Sequence, residues 1–276
     1  MSNIKLKELI QTRGIHVPFD DILNTLKSEY KLAYEKYKLG NAIYRGTTNE
    51  YSYVIDPKSA TRVSKNTRNF YTVLIDVLPS WKDWPKRSQS IVCSSSYKTA
   101  RTYSSHVPHV VFPENGAKIG VCSKSDFWNS FPYVHSRLSP TNYFNMSEFT
   151  RQFHQFFEIA NINVDVYNKT NVNTFFEISN STLPSYDIIR QLVTENWRHL
   201  RDLLDDLKLH FKGDWLSYFN ELLDPEKNNL KLITLESYNN TFYNREIWTD
   251  AKSLMVYSSD IDKISELARY NAQQQR

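Results

Sequence analysis

Arg87-Ser88-Gln89-Ser90-Ile91-Val92-Cys93-Ser94-Ser95-Ser96 is the stretch on which the fold turns. Ile91 and Cys93 fall on one face of an extended chain and Val92 on the other, so residues 88–94 read as a strand. Three consecutive serines close it. Residues 97–103 then read as a short helix, and residues 69–78 as a helix stopped before Pro79. Upstream, residues 42–46 read as another strand, ending in Arg45-Gly46. Downstream, 109–112 and 117–122 are short apolar runs separated by Pro113-Glu114-Asn115-Gly116, a turn signal. Residues 246–257 return to strand, and 261–272 close as a helix.

Around this β-rich centre the chain is helical. Residues 4–12 and 19–38 read as helices. In the second, Ile22, Leu23, Leu26, Tyr30, Leu32, Ala33 and Tyr37 recur at close to helical spacing. Asp20 or Asp21 suits its start, and Gly40 its stop. Residues 124–223 change character. Within them, 147–160 and 185–209 read as amphipathic helices, and 215–223 as a shorter one before Pro225. The order of helices, mixed β core, helical insertion and final strand predicts an α+β fold rather than βαβ winding.

Composition narrows the class. With 40% hydrophobic and 23% charged residues over 276 positions, the chain is an ordinary globular protein of one large or two small domains. It has no run of eighteen apolar residues and no apolar signal core after Met1, which predicts a cytoplasmic protein without a membrane segment. Cys93 and Cys122 read as buried thiols. His106 and His109 lack the carboxylate partner and spacing of a metal site, so no metal is expected. No GxGxxG, P-loop or Gly-x-Ser-x-Gly motif occurs, which excludes a Rossmann-type nucleotide site. Positive charge is concentrated: residues 56–101 carry nine basic side chains against three acidic ones. Such a patch could meet a pyrophosphate or a nucleic-acid backbone.

Three stretches carry the chemistry: Ile43-Tyr44-Arg45-Gly46, the serines Ser94-Ser95-Ser96, and Asn244-Arg245-Glu246-Ile247-Trp248. Each is ordinary alone, since charged and hydroxyl side chains mostly lie at the surface. Their order resembles that of the R-S-E class of mono-ADP-ribosyltransferases, over about residues 40 to 258. The resemblance implies a two-sheet core holding NAD as substrate, in one ADP-ribosyltransferase-like domain spanning 1–276. Its parts are then N-terminal helices (1–40), an NAD-binding β core (41–123), a helical insertion (124–223), and an acceptor loop, catalytic strand and C-terminal helix (224–276). It also implies that Arg45 and Ser94 act with Glu246 as the catalytic set. Arg45, Gly46, Ser94, Ser95, Ser96 and Tyr103 would contact NAD. Glu246 would engage the ribose and face the positive charge that develops on it, a charge also expected from glycosidic chemistry.

Two positions depart from the family pattern. Ser95 stands where the family has threonine. Asn244, two residues before Glu246, stands where the family often has Glu or Gln to engage an arginine acceptor. A guanidinium acceptor is therefore not the natural expectation. Asn244, Tyr243 and Phe242 become the acceptor-binding candidates, with RNA favoured over protein because of the basic stretch and the aromatic loop. NAD glycohydrolysis, or a non-catalytic phage-type structural or binding module, are the other functions open to this sequence. The family further implies a toxin or phage-defence setting, with a neutralising antitoxin as partner.

Overall fold

The structure is a computed structural model, and it describes residues 14–59, 69–134, 146, 149–151, 198–212 and 214–274. The helix expected over 4–12, all but 149–151 of the one expected over 147–160, and most of the one expected over 185–209 lie outside the described residues. In chain order the elements are β1 (Ile15–His16), α1 (Phe19–Lys27), α2 (Lys31–Lys38), β2 (Tyr44–Arg45), β3 (Tyr53–Ile55), α3 (Asn69–Val77), β4 (Ile91–Ser94), α4 (Tyr97–Arg101), β5 (His109–Pro113) and β6 (Lys118–Val121). They continue with α5 (Arg198–Phe211), α6 (Trp215–Leu222), β7 (Lys231–Thr234), β8 (Glu246–Thr249), β9 (Ser253–Tyr257) and α7 (Ser258–Gln274). The fold is mixed α+β. No helix among the described residues is long and apolar enough to cross a membrane.

The chain divides into two compact units, one made of 1–65, 84–125 and 231–276, the other of 66–83 and 126–230. All nine strands of the described residues belong to the first. They form a single antiparallel sheet in the order β1-β3-β9-β5-β2-β4-β8-β6-β7. The expected two-sheet core is therefore corrected to one open sheet. The reason lies in β2, a strand of two residues that is bonded on both edges. Tyr44 pairs with Ser94 of β4 on one side and with Val110 of β5 on the other. The two halves are thus joined, and their junction with β4 is one residue wide. The apolar runs around the 113–116 turn do not form a hairpin. β5 pairs with β2 and β9, whereas β6 pairs with β7 and β8.

The helix expected over 19–38 is two helices. Ile22 and Leu26 of α1, and Ala33 and Tyr34 of α2, are buried against the sheet core, as the periodicity requires. Asn115, from the turn after β5, occupies the break. Its Oδ1 accepts the Leu32 N–H at 2.9 Å, and its own N–H donates to the Glu29 carbonyl at 3.1 Å. Those groups would otherwise serve helical bonds. Gly40 then ends α2 at φ +82°, a conformation in which it meets no steric penalty.

In the second unit, α6 is capped by Asp214, whose carboxylate accepts the N–H groups of Leu216 and Ser217. The Trp81 indole donates to the Leu223 carbonyl at 2.8 Å and packs against Phe127 and Phe131. Buried Asn228 ties the end of this helix region to Tyr133, accepting its N–H at 3.0 Å while donating to the Leu222 carbonyl.

Candidate active site

β2, β4 and β8 are neighbours in the sheet, so the three chemically suggestive stretches meet. Ser94 pairs with Tyr44 on one side and with Glu246 on the other. Directly paired residues in antiparallel strands have Cα atoms about 4.5–5.5 Å apart. Arg45 follows Tyr44 and is 7% exposed. Its guanidinium donates to the Val92 carbonyl of β4.

Glu246 opens β8 with its backbone built into the sheet edge of β6. Its N–H donates to the Lys124 carbonyl at 3.0 Å, and its carbonyl accepts from Cys122 at 2.9 Å. The carboxylate is fixed by a residue whose role the sequence did not disclose. Arg87 Nη2 lies 2.9 Å from Glu246 Oε1, with the two side chains only 4% and 14% exposed. Arg87 Cζ also lies 4.9 Å from the ring centre of Trp248, a cation–π distance. Trp248 is held in turn. It stacks on Trp84 at 5.7 Å, and its indole donates to the Pro85 carbonyl at 3.0 Å. Across the sheet it lies over Gly120, where any Cβ would come within 2.2 Å of the ring. Arg87 is available for this because the strand expected from 88 starts only at Ile91. Residues Arg87–Gln89 form a 3-10 turn, and Ser90 Oγ donates back to the Arg87 carbonyl at 3.1 Å.

The three serines have three different contacts. Ser94 Oγ accepts the N–H of Ser96 at 3.0 Å. Ser95 reaches the loop before β8, where its hydroxyl donates to the Phe242 carbonyl and accepts the Arg245 N–H at 2.8 Å. Ser96 caps α4 by accepting the Thr99 N–H at 3.3 Å. α4 is tied to the same loop as well: Thr99 Oγ1 donates to Asn244 Oδ1 at 2.8 Å. Asn244 sits in the left-handed region at φ 54°, which asparagine tolerates better than most residues.

The other expected contact residues divide. Tyr103 and Tyr243 are 45% and 71% exposed. Phe242 is half-buried and stacks on Tyr238 at 6.1 Å, so its ring faces the protein's own core. Gly46 does permit a close approach, and the chain that makes it is α4. A Cβ there would lie 2.4 Å from the Ala100 carbonyl and 2.7 Å from the Tyr103 carbonyl carbon.

No protein-family model, curated protein or solved structure matches the chain.

The two histidines have separate environments. His106 is exposed and lies 2.7 Å from Glu50. His109 is fully buried opposite Arg45, between Tyr53 and Tyr257. Burial pushes its pKa down from 6.5 to about 4; the Tyr51 carbonyl opposes this, and the nearby Arg45 charge adds to it. The imidazole is therefore neutral at pH 7. The Tyr51 carbonyl, 3.0 Å from Nε2, can only accept, so Nε2 carries the proton. Nδ1 is then the acceptor for the Thr47 hydroxyl at 3.1 Å. Among the described residues no group of three or more His, Cys, Asp or Glu could hold a metal ion.

The donor set at these strand ends is a guanidinium, hydroxyls and a carboxylate. A guanidinium suits a pyrophosphate, hydroxyls suit ribose and amide groups, and a carboxylate suits a ribose acquiring positive charge.

Proposed function

We propose that the protein is a mono-ADP-ribosyltransferase that transfers ADP-ribose from NAD to a macromolecular acceptor, RNA before protein. The observation that carries this reading is the adjacency of β2, β4 and β8, which pairs Ser94 directly with Glu246 and sets the strand that ends in Arg45 beside them, from three distant parts of the sequence. In the proposed reaction the bond between the nicotinamide nitrogen and ribose C1′ breaks, and nicotinamide leaves neutral with the bonding pair. An acceptor nucleophile bonds to C1′ and gives up its proton. Positive charge builds on the ribose between these events. Glu246 supplies the opposing anion, and Arg45 grips the pyrophosphate. Arg87 and Trp248 hold the Glu246 carboxylate in one orientation before substrate arrives, which is what electrostatic preorganisation requires. A toxin or phage-defence role, with a neutralising partner, rests on the family resemblance alone.

One observation favours a non-catalytic module instead. Glu246 is already paired with a buried arginine, an arrangement that would serve a purely structural clamp. The experiment that separates the readings uses NAD labelled in its adenosine half, incubated with RNA, DNA and protein from a cell lysate. Transfer of label to a macromolecule is expected, with Glu246→Gln slowing it about 100-fold or more. Release of free ADP-ribose alone would mark a glycohydrolase. No NAD turnover, or a Glu246→Gln rate within a few-fold of the parent, would leave the structural clamp.

A further inference from the structure

Two ties, one from Ser95 just past β4 and one from Thr99 of α4, reach the loop before β8 and build a surface as well as a site. Thr99 bonds to Asn244, and Ser95 bonds to Phe242 and Arg245, so segments far apart in sequence are fastened side by side. On one side of the fastening Tyr97 is 44% exposed and Lys98 and Arg101 are exposed. On the other, Tyr243 is 71% exposed and Arg245 is half-buried. Neither residues 97–103 nor residues 237–245 contain an acidic side chain. Tyr97 is also braced, its ring meeting Tyr44 edge-on at 5.5 Å.

The geometry points to this face as a binding surface for single-stranded nucleic acid, with bases stacking on Tyr97 and Tyr243 and phosphates meeting Lys98, Arg101 and Arg245. Rings that offer a π-face, interleaved with cations, are the combination that holds single strands with little sequence preference. A duplex keeps its bases stacked inside and cannot use the tyrosines. A protein partner gains nothing from three cations without opposing charge, unless it is itself acidic. The inference rests on the transferase reading only for its purpose: the strand end carrying Glu246 directly follows Arg245, so a strand held here is an acceptor delivered to the site. The binding itself does not depend on NAD.

The test is fluorescence anisotropy of a labelled single-stranded RNA oligonucleotide with the full-length protein, without NAD. Binding is expected, several-fold tighter than to a duplex of the same sequence. Its logarithm should fall with log salt at a slope of about −2, as for three phosphate contacts on a single strand. Tyr243→Ala should weaken it about five-fold or more, and Tyr243→Phe should restore it, because the ring rather than the hydroxyl stacks. Lys98→Gln should flatten the salt slope by about 0.7. Circular dichroism checks that each variant is folded. Affinity equal for single strand and duplex, or unchanged by Tyr97→Ala with Tyr243→Ala, overturns the proposal. So does label from NAD entering only protein while the oligonucleotide fails to bind. Oligonucleotide binding without any NAD turnover sinks the transferase reading and leaves this surface standing.

Discussion

Arg87 makes an ion pair that water scarcely reaches, and that fixes what its removal should do. A buried carboxylate stripped of its cation is left uncompensated, at a cost of about 3–5 kcal/mol. Replacing both partners with neutral groups costs much less. Arg87→Met should therefore destabilise the protein by roughly 3 kcal/mol, and adding Glu246→Gln in that background should recover most of the loss. Urea unfolding of the four proteins measures it; a double variant no more stable than Arg87→Met would show that the carboxylate is not what Arg87 neutralises. His109 gives a second handle at this scale. Its pKa is depressed in the folded protein, from 6.5 to about 4. The unfolded chain therefore binds a proton at higher pH than the folded one. Stability from this group is fully present above pH 6.5, falls as pH drops, and is gone below about 4, a total of about 3 kcal/mol. The melting temperature should decline over that window, and His109→Gln should flatten the decline. An equal slope in parent and variant would assign the acid sensitivity to other groups.

At the scale of elements, what the sequence discloses is what is locally encoded. α3 ends before Pro79, the buried faces of Ile91 and Cys93 alternate with Val92, and α6 stops before Pro225, because proline and two-residue periodicity act within a few residues. The break between α1 and α2 is not legible in the same way. Its periodicity runs on through residues 28–30, and the competing ligand for the freed backbone is Asn115, more than eighty positions away. The same limit explains Arg87. In sequence it opens the serine-rich stretch as one of nine clustered cations, and only the 3-10 turn and the pairing of β4 with β8 bring it to Glu246. The serines show a finer version. Their location at a strand end can be read, yet their separate contacts cannot, since Ser95 depends on a loop about 150 residues downstream. A signal was present for the loop: Asn244, a residue that accepts positive φ, stands immediately before the half-buried Arg245 and the strand.

For the whole molecule, the order of strands in space against their order in the chain has consequences for folding. β8 and β9 are among the last elements made, yet both lie inside the sheet. β9 separates β3 from β5, and β8 separates β4 from β6. Among the described strands, β3 then has only the two-residue β1 as its other neighbour, and β6 has only β7, which also comes from the C-terminal segment. The buried core draws on the same segment through Ile247, Leu254, Met255, Val256 and Ile261. A sheet whose inner pairings span so much sequence must close long loops before those contacts repay the cost, which predicts slow folding. It also predicts that the first 230 residues alone cannot form the first unit. A chain ending at Leu230 should lack cooperative unfolding of that unit and show exposed apolar surface by dye binding, and supplying residues 231–276 as a separate peptide should restore cooperativity in part. A truncated chain that unfolds cooperatively with the parent's denaturant midpoint would mean that β1 to β6 pair without β8 and β9. In that case Glu246 would be an addition to a finished sheet, and its ion pair with Arg87 a late adjustment rather than part of what closes the fold.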